Sequence, residues 1–209
     1  MLNFLLIDDH EAVRTGLKFL LHEKYPDAGI FEASNGELAT EILRTQPINV
    51  TVLDVQIPHT DTFTLMEYIS IWAPKVSVLI YSMGGQNIYA KRFMGLGAKG
   101  FVPKSAPVSE LLIAIDQVLL GKVYVSTQDD MEAGASRSPL TDDNPFDKLS
   151  RREFEIAKML LSGESLTNIS KNLMLQTSTV GTHKQRMFDK LRVTNLLELK
   201  ELAKAYNFI

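Results

Sequence analysis

Apolar residues recur along this chain in two rhythms. Four short runs are apolar with little alternation: Phe4-Leu5-Leu6-Ile7, Val50-Thr51-Val52-Leu53, Val76-Ser77-Val78-Leu79-Ile80-Tyr81 and Gly100-Phe101-Val102-Pro103. A fifth, Gly29-Ile30-Phe31-Glu32-Ala33, lies between the first two. Short runs of this kind predict strands covered on both faces. Between them the spacing becomes helical, as in Val13, Leu17, Leu20 and Leu21, or Phe63, Leu65, Met66 and Ile69. The last such face, Val108, Leu111, Leu112, Ile115, Val118 and Leu119, ends at Gly121. Pro26, Pro47 and Pro74 stop earlier helices, and Gly84-Gly85 opens the loop into the fourth. Five strand–helix units in series predict an α/β domain with a five-stranded, parallel, doubly wound sheet.

The pattern then changes. Residues 127–147 are polar and acidic, with no periodicity, and read as a connector. Beyond it only helical spacing is found. Ser150-Arg151-Arg152-Glu153 has the form of a capping box, with Leu149 and Phe154 at the flanking staple positions. Ile156, Ala157, Leu160 and Leu161 continue that face to Gly163, and a short helix holds Ile169 and Leu173. A third helix begins near Thr177–Thr179 and carries Val180, Met187 and Leu191 on one stripe; a fourth starts at Thr194–Asn195. The division expected is therefore 1–122, a connector 123–147, and a small all-α domain 148–209.

Charge sharpens that division. Residues 148–209 carry 11 Lys and Arg against 6 Asp and Glu, a net +5, whereas 1–147 carry 11 against 19, a net −8. An acidic first part joined to a basic second part suggests that only the second meets nucleic acid. No run approaches the length of a membrane span, and strand-like sequence from Asn3 leaves no room for a signal peptide. The absence of cysteine excludes disulfides, thiol catalysis and thiolate zinc sites. A cytoplasmic protein is expected.

The candidate chemistry follows from the strand ends. In a parallel sheet they all point one way, and ligands bind at the carboxyl edge. The runs end in Asp8-Asp9, Asp54, Ser82 and Lys104, so these five side chains should converge. Three carboxylates together repel one another unless their pKa values rise or a cation neutralises them. With no cysteine or histidine expected nearby, the donors are hard oxygens that suit Mg²⁺. Metal, hydroxyl and ammonium together stabilise a phosphoryl group in flight, and Asp54 is then the natural nucleophile, forming an aspartyl phosphate.

Asp8-Asp9, Asp54-x-x-x-Pro58, Ser82 and Phe101-Val102-Pro103-Lys104 resemble the flavodoxin-like receiver domain of bacterial two-component response regulators over about residues 2–121. The resemblance implies that Asp54 accepts a phosphoryl group from a sensor histidine kinase. It implies that Asp8, Asp9, Asp54 and the backbone carbonyl of Gln56 hold Mg²⁺, and that Ser82 and Phe101 form a switch pair. Residues 148–209 resemble the LuxR-type helix-turn-helix of the NarL/FixJ class. The matching residues are Leu149-Ser150-x-Arg-Glu153, Gly163, Ile169-Ser170, Leu173, Thr179-Val180, His183, Lys190-Leu191 and Val193-x-Asn195. That implies a recognition helix from about Thr177 to Leu191 in the major groove of double-stranded DNA. With Val180, Met187 and Leu191 buried, Gly181, Thr182, Gln185 and Arg186 point outward; Gln reads adenine and Arg reads guanine or holds phosphate. Lys184 and Lys190 suit phosphate, and Thr179 and His183 complete the expected set.

Five positions depart from the family pattern: Thr62 and Gly181 in place of Gly and Lys, Met83 in place of a small residue, Gln176 in place of a Ser cap, and Arg192 in place of a helix-end Gly. The expected function is a phosphorylated, DNA-binding regulator of transcription, a homodimer when phosphorylated or DNA-bound, and not a turnover enzyme. Two alternatives compete with it. An aspartyl-phosphate phosphatase needs an acid/base carboxylate two residues after Asp54, where Gln56 stands. A receiver acting through protein contacts alone would leave its helical tail off DNA.

Overall fold

The computed structural model describes residues 1–83, 86–126, 144–206 and 208. The chain divides into two compact units, 1–140 and 141–209. Gly84-Gly85 and most of the expected connector, 127–143, lie outside the described residues.

In the first unit strands and helices alternate: β1 (Asn3–Ile7), α1 (Glu11–Lys24), β2 (Gly29–Ala33), α2 (Gly36–Thr45), β3 (Val50–Leu53), α3 (Thr62–Trp72), β4 (Ser77–Ser82), α4 (Gln86–Gly95), β5 (Gly100–Pro103) and α5 (Val108–Leu119). All pairings are parallel, in the order β2-β1-β3-β4-β5. Every residue of β1, β3 and β5 is buried, which is why those runs do not alternate. One face of the sheet packs Phe4, Leu6, Val50 and Val52 against Leu17 and Leu21 of α1 and Leu111, Ile115 and Val118 of α5. The helices start on side-chain caps where the sequence supplies them: Asn35 caps Leu38 N–H, and Asp61 caps Phe63 and Thr64 N–H.

The sheet runs one strand further than expected. Tyr124–Val125, read from sequence as connector, forms β6 and pairs in parallel with Gly100 and Phe101. Two residues carry too little pattern to be told from loop. The connector loses its other end as well. Asn144 caps a 3₁₀ turn over Pro145–Lys148, and Phe146 is fully buried in the second unit.

That unit is helical: α6 (Arg151–Leu161), α7 (Leu166–Asn172), α8 (Thr177–Leu191) and α9 (Leu196–Ala205). Both halves of the capping box form. Ser150 Oγ accepts from Glu153 N–H, and Glu153 Oε2 accepts from Ser150 N–H at 2.8 Å. Phe146, Phe154 and Phe208 cluster in the core, with Phe208 centroids 4.7 Å from Phe146 and 5.3 Å from Phe154. α8 ends at Arg192, whose φ of 56° is left-handed, the conformation in which glycine costs nothing and a side chain is strained. Among the described residues no helix is long and apolar enough to cross a membrane.

Candidate phosphoacceptor pocket and nucleic-acid interface

Strand register assembles the first site. Ile7 pairs with Leu53, and Ser82 with Pro103, so the residues that follow stand at one edge. Asp54 N–H donates to Ile7 C=O at 2.9 Å, and Lys104 N–H donates to Ser82 C=O at 2.9 Å. The chain turns from β1 to β2 on one side and to β3 on the other, so the acidic edge lies at the point where the strand order reverses.

At that edge Asp8, Asp54, Ser82 and Lys104 are in direct contact. Lys104 Nζ donates to Asp8 Oδ2 and to Asp54 Oδ2, each at 2.6 Å. Ser82 Oγ donates to Asp54 Oδ1 at 2.7 Å, and Gln56 N–H donates to the same oxygen at 3.0 Å. Asp8, Asp54 and Lys104 side chains are 4%, 3% and 8% exposed, so these charges act in a low effective dielectric. Burial alone would lower the Lys104 pKa; its bonds to Asp54 and Asp8 outweigh burial and hold it above its usual value. Lys104 therefore supplies part of the neutralisation that three adjacent carboxylates require.

The structure corrects one expectation here. The donor set is not all oxygen: His10 Nδ1 lies 3.2 Å from Asp8 Oδ1 and 3.1 Å from Asp9 Oδ1. Ligand atoms of Asp8, Asp9, His10 and Asp54 all fall within 4.8 Å of one another. Asp9 Oδ1 is buried with no hydrogen-bond partner, its approach to His10 lacking bonding geometry. An orphaned anionic oxygen beside two more carboxylates fits a hard divalent cation.

Phe101 is fully buried, one residue into the β5 edge. Of the departures, Thr62 is buried and its Oγ donates to Val55 C=O at 3.3 Å, tying the first turn of α3 to the residue after Asp54. Met83 projects outward, 73% exposed. On α4, Tyr89 is 2% exposed and its ring packs 6.2 Å from Phe93, which stacks on Phe63 at 4.8 Å.

The second site is the outer face of α8. Val180 and Met187 are fully buried and Leu191 nearly so, while Thr179, Thr182, Gln185 and Arg186 are exposed. Thr182 Oγ donates to Ser178 C=O, and Gln185 Nε2 donates to Asp189 Oδ1 at 2.9 Å. Lys184 Nζ lies 5.1 Å from the Phe188 ring centroid. His183 is half-buried, its Nδ1 without a hydrogen-bond partner. A Cβ added at Gly181 would meet nothing within 4 Å, so packing does not demand glycine there. Gln176 caps α8 by position only; no side-chain bond is made. Lys190, expected to face DNA phosphate, donates to Glu153 Oε2 at 2.6 Å with its side chain still 40% exposed.

An edge of buried carboxylates, hydroxyl and ammonium on a doubly wound sheet, followed by a helical unit with one polar exposed helix face, defines a two-part signalling protein. Residues 4–116 match the response regulator receiver domain, and residues 147–203 match the bacterial regulatory proteins of the luxR family. Response regulator GacA of Pseudomonas aeruginosa is 31% identical over 210 residues, covering 100% of this chain and 98% of its own length. Response regulator UvrY of Escherichia coli K12 is 31% identical over 204 residues, covering 97% and 94%. Among solved structures, RcsB from Salmonella enterica serovar Typhimurium, bound to promoter rprA with the phosphomimetic BeF3−, has a similar fold. The TM-score is 0.75 at 22% identity over 98% of this chain and 100% of that one. The chain belongs to the two-component response regulators, with a receiver followed by a LuxR-type helix-turn-helix, and is a phosphorylation-dependent, DNA-binding regulator of transcription.

Proposed function

We propose that Asp54 is the phosphoacceptor and that the exposed face of α8 reads DNA. One observation carries the first half: Asp54 is a buried carboxylate whose two oxygens are met by a hydroxyl, a backbone N–H and an ammonium. These donors aim the carboxylate, and they are the groups that would receive the charge of a transferred phosphoryl. Asp8, Asp9, Asp54 and the Gln56 carbonyl would hold Mg²⁺, with His10 at its margin. The metal, when bound, supplies charge neutralisation for the phosphoryl oxygens. Asp54 attacks phosphorus, the bond from phosphorus to the imidazole nitrogen of the kinase's phosphohistidine breaks with that nitrogen taking the bonding pair, and Lys104 and Ser82 remain to bind the phosphoryl oxygens. Ser82 with Phe101 is the switch pair. A sensor histidine kinase is the donor, and the chain accepts and releases the group without turning over a separate substrate. Cytoplasmic placement follows from a partner that is DNA.

Lys104→Met offers a test of the pocket that is independent of turnover. The ammonium occupies one oxygen of each of two proposed ligands. Removing it should tighten Mg²⁺ binding by at least about tenfold in a calorimetric titration, since a unit charge at contact distance in this dielectric contributes a few kcal/mol. Unchanged or weaker binding would place the metal elsewhere.

On the second half, Thr179, Thr182, His183, Lys184, Gln185, Arg186 and Lys190 form the proposed contact set, with Gln185 and Arg186 best exposed for base edges. Gln185→Ala should lower the ratio of specific to random DNA affinity by about 1–3 kcal/mol, whereas Arg186→Ala, if it serves phosphate, should weaken both and flatten the salt slope. An unchanged ratio in Gln185→Ala would mean that another face reads the bases. Two copies bound as a homodimer would contact half-sites about one helical turn apart.

A further inference from the structure

We propose that Asp189 is a specificity-determining residue of the DNA-binding face: it fixes the Gln185 amide so that what remains for a base edge is one donor and one acceptor, the pattern of adenine. The inference rests on the reading of α8 as the recognition helix with Gln185 at the bases. Gln185 and Asp189 are both exposed and stand one turn apart, on the side of α8 away from the buried Val180 and Met187. Gln185 Nε2 donates to Asp189 Oδ1 at 2.9 Å. A carboxylate only accepts, so the amide must present its nitrogen to Asp189 and turn its carbonyl away.

Asp189 is out of place on two counts. It adds negative charge to the surface that would lie on a polyanion. It also stands in the last turn of α8, where the helix macrodipole disfavours an anion. Its hydrogen-bond partner is a neutral amide, and an exposed pair at this spacing returns little stability to a helix. The carboxylate therefore makes more sense through what it does to Gln185 than as a helix stabiliser. With one N–H committed to Asp189, Gln185 retains one N–H and its carbonyl. In the major groove adenine offers one acceptor, N7, and one donor, the N6 amino group. Guanine offers two acceptors, thymine an acceptor and a methyl group, and cytosine a donor alone. Adenine is the base that takes both remaining groups. An amide without Asp189 has both N–H groups to offer guanine and can turn end for end, so it discriminates less well. Asp189 acts through Gln185 and not at the base.

The test uses the full chain, phosphorylated with acetyl phosphate and Mg²⁺, and an operator fragment that it selects from genomic DNA. Single base-pair substitutions through the fragment, read by anisotropy, locate the A·T pair whose replacement by G·C weakens the wild type but not Gln185→Ala. At that pair Asp189→Ala should lose about three- to tenfold of the adenine-over-guanine preference, the affinity equivalent of one hydrogen bond. Its affinity for random DNA should rise, since a negative charge beside phosphate has gone. A purely structural role for Asp189 would instead lower both affinities and the melting temperature. Asp189→Asn keeps an acceptor for the amide without the charge, so it should retain more of the preference while sharing the rise. In the Gln185→Ala background Asp189→Ala should leave the base preference unchanged, the non-additivity expected of residues acting as one unit. An undiminished preference in Asp189→Ala overturns the inference. So does an equal loss in both backgrounds, which would put Asp189 itself on a base. If Gln185→Ala keeps the wild-type preference at every pair, the reading of Gln185 as a base contact fails, and the inference with it.

Discussion

Asp54→Asn is expected to take up no phosphoryl group from acetyl phosphate and Mg²⁺, while the wild type gains the mass of one. The substitution is nearly isosteric, and the amide oxygen can still accept from Ser82 Oγ and Gln56 N–H. What it removes is the anionic nucleophile, together with one of the two carboxylates that hold Lys104. Asp8 keeps its own contact with Lys104 at 2.6 Å, so the edge retains a partner for the ammonium and the fold should survive. Asp8 and Asp9 are the neighbouring carboxylates, but Asp8 is held by Lys104 and bonds His10 N–H, and Asp9 is the more exposed rim residue. An adduct of undiminished yield in Asp54→Asn would move the acceptor to one of them and would remove the basis for every role assigned around Asp54.

The second large effect is expected at Glu153. This residue is 3% exposed, closes the capping box of α6 on Ser150 N–H, and accepts from Lys190 of α8. It ties the start of the helix-turn-helix to the end of its recognition helix. Glu153→Ala should cost about 2–3 kcal/mol, the sum of a lost cap and a charged hydrogen bond. In a domain of this size that is a fall of roughly 10 °C or more in the melting temperature. DNA affinity should fall with it, without any contact to DNA having been removed. The same geometry predicts a pH dependence. Burial would raise the Glu153 carboxyl, but Lys190 and Ser150 outweigh it and hold it below its usual value of 4.5. A depressed carboxylate stabilises the fold fully above its unfolded value, and that contribution disappears as pH falls through the lower folded value. Glu153→Gln should therefore be less stable than wild type near neutrality and converge with it in acid. Parallel acid limbs for the two proteins, followed by circular dichroism, would show that Glu153 is not the linked group.

The same contact explains what the sequence could and could not disclose. Asp8, Asp54, Ser82 and Lys104 were legible because each ends an apolar run, and a parallel sheet has one carboxyl edge. The capping box was legible because its two residues are three apart. The Lys190–Glu153 pair was not legible because its partners are 37 residues apart, and nothing in α8 distinguishes a lysine that pairs across the fold from one that does not. His10 stood next to the acidic pair in plain view. Only the N-cap geometry of α1, with φ −82° and ψ 108°, turns its ring back toward Asp8 and Asp9. β6 escaped because two residues carry no period.

The regulatory claim joins the two sites, and one comparison tests it most directly. Full-length wild type and Asp54→Asn would be titrated onto an operator fragment, selected from genomic DNA by the phosphorylated wild type, before and after treatment with acetyl phosphate and Mg²⁺, with anisotropy as the readout. The expected result is that treatment raises the affinity of the wild type and leaves Asp54→Asn where it began. Equal affinities for treated and untreated wild type, or an equal rise in Asp54→Asn, would contradict control of DNA binding through Asp54.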